Sequence, residues 1–144
     1  MSDVAGALVL VGRILFALFF GIVAGVGGHI RQSKGMEAYA KSMRFPVPAI
    51  SGWPTGLWLV AGSISIGFGI WGDVGSLIIA AFVVPAAGWF HRFWEIEDES
   101  QKMMQTGFFF RNVIVLAMCL VLFGIFAAFG SDLPFTLTDS VFDF

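Results

Sequence analysis

Four long apolar runs separated by short polar or charged stretches dominate the chain. They extend from about Val4 to Val26, Ser51 to Trp71, Val74 to Phe90 and Phe108 to Phe129. Each approaches the roughly 20 helical residues that cross about 30 Å of hydrocarbon. None shows the alternation of a barrel strand, and backbone in lipid must satisfy its own hydrogen bonds. The pattern therefore predicts an all-α membrane protein, an antiparallel bundle of four transmembrane helices. Only Gly72 and Asp73 separate the second and third runs, which forces a hairpin. Trp53 and Trp71 bracket the second run, and Trp89 and Trp94 stand at the end of the third, where the interfacial belts favour tryptophan. Pro85 has no N–H to give its own helix, so the third helix should bend or loosen there.

The polar stretches set the remaining organisation. Met36, Tyr39, Ala40 and Met43 follow helical spacing and precede Pro46 and Pro48, which predicts a short interfacial helix in the first loop. Arg31, Lys34, Lys41 and Arg44 fall in that loop, and Arg92, Lys102 and Arg111 in or beside the third. Basic loops resist translocation, so loops one and three are expected to be cytoplasmic and both termini outside, in the plasma (inner) membrane. The first run lacks a basic leader and is longer than the apolar core of a signal peptide, so it is expected to stay as a helix. Gly21 with Gly25, and Gly52 with Gly56, are small-residue steps suited to close helix packing. Residues 1–130 read as one transmembrane domain. Residues 131–144 read as a short acidic, partly apolar tail carrying Asp132, Asp139 and Asp143.

Composition narrows the function classes. With 58% apolar and 12% charged residues and a mean hydropathy of +0.87, the chain has more apolar surface than a soluble core could absorb. A net charge of −2 gives no reason to expect nucleic acid. Cys119 is the only cysteine, which excludes an internal disulfide, a Cys-x-x-Cys pair and a thiolate zinc site. Its apolar surroundings make it a small buried hydrophobe.

A few polar residues carry candidate chemistry. Arg13 lies within the first run, where a charge is costly unless it snorkels or finds a partner. It is expected either to reach the outer headgroups or pair with Asp73 or Asp3, or to anchor a polar ligand head such as a quinone carbonyl or lipid phosphate. His29 and His91 fall at the cytoplasmic ends of their helices and could share a site. If the third helix continues past Trp94, His91 and Glu95 share a face. Haem or metal is disfavoured because the four runs contain no acidic residue. Asn112 is expected to bond across to a neighbouring helix. Glu95, Glu97, Asp98 and Glu99 form an acidic patch, expected to pair with the basic first loop or dock a basic partner rather than to catalyse.

Four stretches share one further pattern: GMEAYAKSMRFPVP, then TGLWLVAGSISIGFGIWG, then a small-residue helix ending FHRFW, then FFFRNVIVLAMCLVLFG. Over roughly Gly12 to Gly130 the chain resembles the DoxX family of small four-helix membrane proteins. Its most specific matches are His91 with Phe93 and Trp94, and Phe109-Phe110-Arg111-Asn112. His29 stands near the place of a common family lysine, Arg111 replaces another, and the acidic residue often found early in helix two is missing near Gly56 and Trp58. The resemblance implies an accessory or scaffold subunit of a membrane oxidoreductase complex, since related members occur with thiosulfate:quinone oxidoreduction, terminal quinol oxidation or an oxidative-stress complex. One cysteine and no convincing cofactor ligands agree with that role. The implied partners are membrane lipids and a larger membrane or membrane-associated complex, with a quinone as the candidate ligand of Arg13, His29, His91 and Asn112. An autonomous quinone-reactive enzyme built on those four residues is the alternative. A lipid or small-solute transport subunit is a third and weaker reading, because no pair of broken helices is evident.

Overall fold

A computed structural model describes residues 2–142 of the protein, and among them every regular element is helical. Helix α1, Asp3–Leu18, continues without a break into a π-helical segment, Phe19–Ile30. Helix α2, Ser33–Ser42, and a 3-10 turn, Pro48–Ser51, form the first loop. Helices α3, Trp53–Phe68, and α4, Gly72–Pro85, make the hairpin, and α4 runs on as a π turn, Ala86–Phe90. After a short 3-10 turn, Phe93–Glu95, helix α5 covers Glu99–Phe129, and another such turn, Gly130–Asp132, leads into the C-terminal segment.

Three of these helical stretches are long and apolar enough to cross a membrane: Asp3–Ile30, Gly72–Glu95 and Glu99–Asp132. Helix α3 has 16 residues and would span only about 24 Å at 1.5 Å per residue. The chain is thus an all-helical membrane protein. Its lipid-facing character shows in large exposed side chains such as Leu8, Leu15, Ile22, Ile114 and Leu120, which no soluble surface of this extent would carry.

Contacts follow chain order: α1 and its π extension pack on α3, α3 on α4, and α4 on α5. All of them contribute to one core, in which Phe20, Leu59, Ile66, Ile79, Val83, Leu122 and Phe126 are buried together with Cys119. The first of these contacts is very close. A side chain at Gly56 would meet the Gly25 carbonyl at 2.8 Å, so the paired small residues allow backbone-to-backbone approach. Pro54 opens α3 in its first turn, where a missing N–H costs nothing. Gly69 ends it in the left-handed region at φ +61°, where an L side chain is strained.

Helix α5 begins far earlier than its apolar run. The Asp98 carboxylate accepts the Gln101 backbone N–H at 2.8 Å and the Ser100 hydroxyl at 2.7 Å, so the acidic patch starts a helix instead of filling a loop. Ser100 to Gly107 then form an extension of α5 ahead of the apolar stretch.

The last described residues fold back on the bundle. Leu133 is buried in the common core, and the segment after it crosses the end formed by the α3–α4 hairpin. Asp143 lies outside the described residues.

Candidate functional site

At the end of the bundle capped by the first loop, a cavity of about 690 Å³ opens between the π segment, α2, α3, the end of α4 and α5. Its wall is mostly apolar and aromatic, with Phe20, Phe45, Trp58, Phe82 and Phe90 contributing rings. Non-α backbone builds two of its sides. The π segment supplies Phe19, Phe20, Ala24, Gly28 and His29, and its end carries the wide i→i−5 bond from Arg31 N to the Val26 carbonyl, at 3.0 Å. Across the cavity Pro85 has no N–H for its helix, and the backbone continues as the π turn. The expected loosening of this helix therefore falls in the cavity wall. Irregular backbone at membrane depth is tolerated where it borders a cavity, and π turns concentrate at such sites.

His29 is 9% exposed and stands edge-on to Phe82, with ring centroids 5.5 Å apart. Its Nδ1 lies 2.7 Å from the Ser51 carbonyl oxygen. A carbonyl only accepts, so Nδ1 carries the proton, and Nε2 of the neutral ring is an acceptor with no protein partner. His91 is half-buried on the opposite wall, its Nδ1 2.8 Å from Gln105 Oε1 and its ring 5.4 Å from that of Phe108. With that oxygen facing it, Nδ1 again donates and Nε2 is left open. Asn112 lines the same cavity, but its Nδ2 donates to the Phe108 carbonyl at 3.0 Å, one turn back in its own helix. The expected cross-helix bond is therefore absent, because the carbonyl of residue i−4 is the nearer acceptor.

The sequence reading brought out three of these residues and missed others. Tyr39 and Arg111 also line the cavity. The Tyr39 hydroxyl donates to the Phe90 carbonyl at 3.3 Å, and the Arg111 guanidinium lies 4.9 Å from the Phe108 ring centroid. The periodicity of Met36, Tyr39 and Ala40 marked an apolar face on α2. Met36 and Tyr39 line the cavity, and Ala40 is fully buried. Trp89 Nε1, bonded to the Met43 carbonyl at 3.1 Å, ties the first loop over this end.

Arg13 does not belong to this site. It is fully buried at the other end of the bundle, and it neither reaches headgroups nor pairs with Asp73 or Asp3. Its Nη1 donates to Thr136 Oγ1 at 3.0 Å and its Nη2 to the carbonyls of Pro134, at 2.7 Å, and Phe135. Two main-chain oxygens and one hydroxyl of the C-terminal segment thus engage both Nη atoms of the buried cation, and its Nε is left without a partner.

The acidic patch also differs from expectation. Helix α4 and its π turn end at Phe90, so His91 and Glu95 share no helical face. Glu95 pairs with Arg92 at 3.0 Å, the one ion pair among the described residues, and none of the patch reaches the basic first loop. The helix-capping bond from Gln101, followed by the Ser100 hydroxyl, holds the Asp98 carboxyl below its ordinary range. Among the described residues, no three His, Cys, Asp or Glu side chains converge as a metal set.

Comparison with the curated proteins and with the solved structures found no match. A family model for DoxX matches residues 8–92, more than half of the chain. The matched stretch holds most of α1, all of α2 to α4, both histidines and most of the cavity wall, and it stops before α5 and the C-terminal segment. The chain belongs to the DoxX family.

Proposed function

We propose that this protein is an accessory or scaffold subunit of a quinone-linked or oxidative-stress oxidoreductase complex in the plasma membrane, and that its cavity receives the head of a membrane quinone. The observation that carries the reading is the cavity itself: an apolar, aromatic wall lined also by His29 and His91, each with its Nδ1 engaged and its Nε2 without a protein partner, and by Asn112. A flat ring with polar substituents at its edge fits such a wall, where a few polar groups fix orientation inside apolar surroundings. His29, His91 and Asn112 are the proposed contacts, and Arg13 is left out because it is spent at the other end.

Helix α3 serves as a fourth crossing, extended at one end by the Pro48–Ser51 turn. Loops one and three face the cytoplasm, as their basic residues favour. Residues 1–130 are the functional unit, and residues 131–142 close its far end. The exposed run Glu95, Glu97, Asp98 and Glu99 makes no ion pair with the basic first loop, which suits docking of a basic partner on the same side. A single cysteine, and no three converging His, Cys, Asp or Glu side chains among the described residues, suit an accessory role better than autonomous catalysis.

Gentle-detergent purification at native abundance, with identification of co-eluting chains, tests the role. A larger oxidoreductase chain is expected in the same peak. A protein that elutes alone and turns over quinone by itself would contradict the accessory reading in favour of an enzyme.

A further inference from the structure

Leu133–Phe142 crosses the end of the bundle remote from the cavity, and most of the atoms that hold it there are main-chain atoms. Arg13 on α1 takes the carbonyls of Pro134 and Phe135. The Gly69 carbonyl, after α3, takes the amides of Leu137 and Thr138, each at 3.1 Å. Asp73 Oδ2 on α4 takes the amides of Val141 and Phe142, each at 2.7 Å. A buried cation thus reads carbonyls near the start of the segment and a buried anion reads amides near its end, which fixes the chain direction.

Four side chains of the segment engage the bundle: Leu133, Thr136, Thr138 and Phe142, whose ring centroid lies 5.4 Å from that of Phe123 on α5. Leu133 is 3% exposed in the core. Thr136 Oγ1 accepts from Arg13 and Thr138 Oγ1 from the Trp71 backbone N–H. Phe135 and Leu137 point outward at 79% and 68% exposure. The receiving surface is shaped for this approach, since a Cβ on Gly69 would come within 2.8 Å of Thr136 Cα. Arg13 and Asp73 are both fully buried, yet neither is ion-paired with the other or with any other charge. Without the segment, Arg13 would lose all three of its hydrogen bonds and Asp73 would keep only the Val74 backbone N–H, at 2.9 Å, which is unfavourable for two charges at such depth.

We propose that Arg13, Gly69 and Asp73 form a peptide-binding site, occupied by this chain's own C-terminal segment, that recognises by its direction a main chain turned at Pro134 and Phe135, where Phe135 has φ +53°, and anchored by the buried Leu133. The ligand class is a turned peptide, bound chiefly through its main-chain carbonyls and amides.

The test uses the full chain with a site-specific protease sequence inserted between Ser131 and Asp132, both exposed. The folded protein is cut in detergent, and retention of the freed segment is followed by size exclusion. The segment should stay with the bundle and exchange with a labelled synthetic peptide of residues 133–142. A competitor N-methylated at Val141 and Phe142 lacks both amides for Asp73 and should compete at least about tenfold more weakly. A competitor carrying Phe135→Gly and Leu137→Ala should compete as well as the native sequence. A segment that washes away from an otherwise unchanged bundle would overturn the proposal, as would equal competition by the N-methylated peptide. Should the insertion prevent folding, amide exchange in the uncut chain decides. Protection at Leu137, Thr138, Val141 and Phe142 should vanish together in Asp73→Asn, whereas loss confined to Val141 and Phe142 would overturn recognition as a single ligand.

Discussion

The two ends of the bundle spend their buried polar groups in opposite ways. At the hairpin end, Arg13 gives three hydrogen bonds to the C-terminal segment and Asp73 receives two from it, and Arg13 Nε is the only atom of the pair left sealed without a partner. At the loop end, His29 and His91 line a cavity, and each uses one ring nitrogen to fix its orientation and leaves the other without a protein partner. A network with all but one of its polar atoms engaged orders a fold, whereas positioned but unspent groups in an apolar wall suit a ligand. The stronger charges serve structure in this protein, and the weaker polar groups are the ones available for function.

That contrast can be broken from either side. The largest effect is expected for Arg13→Met, which removes three charge-assisted bonds and leaves the Gly69 carbonyl and Asp73 to hold the segment. Unfolding in detergent should show a loss of about 3 kcal/mol or more, with quinone binding at the cavity unchanged. Gly69→Ala strains a left-handed residue and presses on Thr136, and should cost about 1–3 kcal/mol in the same assay, again without touching the cavity. Asn112→Leu reverses the pattern. Its carboxamide bonds only within its own helix, so stability should stay within about 1 kcal/mol while quinone affinity, measured by titration, falls several-fold.

The smallest effect is expected at Asp98. Its carboxyl is held below the ordinary range, chiefly by the Gln101 N–H, so its capping contribution is present above the unfolded-state value and is lost as pH falls through the depressed folded value. Asp98→Ala should raise amide exchange at Gln101 and Lys102 at neutral pH and leave both ends of the bundle intact. The difference from the unmodified chain should shrink under acid conditions.

Much of the fold was legible because apolar contrast is a local signal. The runs around Val4–Val26, Val74–Phe90 and Phe108–Phe129 became helices, and the spacing of Met36, Tyr39 and Ala40 became α2. The start of α5 was not legible in hydropathy, since its first turns lie beyond the apolar stretch and are set by the Asp98 cap. His29, His91 and Asn112 stood out as rare polar residues near helix ends, and the fold gathers all three around one cavity. Tyr39 and Arg111 did not, because the cavity depends on π-helical widening after Leu18 and on the release at Pro85, and the first of these leaves no mark in the hydropathy pattern. Arg13 was recognised as costly but given the wrong partners. Its acceptors are mainly carbonyl oxygens more than a hundred residues away, and every residue type offers a carbonyl.

Quenching of Trp58 and the other tryptophans by a short-tailed ubiquinone, titrated into protein in lipid nanodiscs, tests the division between the two ends most directly. Saturable quenching is expected in the unmodified chain and in Arg13→Met, and it should weaken about tenfold or more in His29→Phe and His91→Phe. Quenching that never saturates, or that survives both histidine changes and is lost with Arg13, would contradict the account.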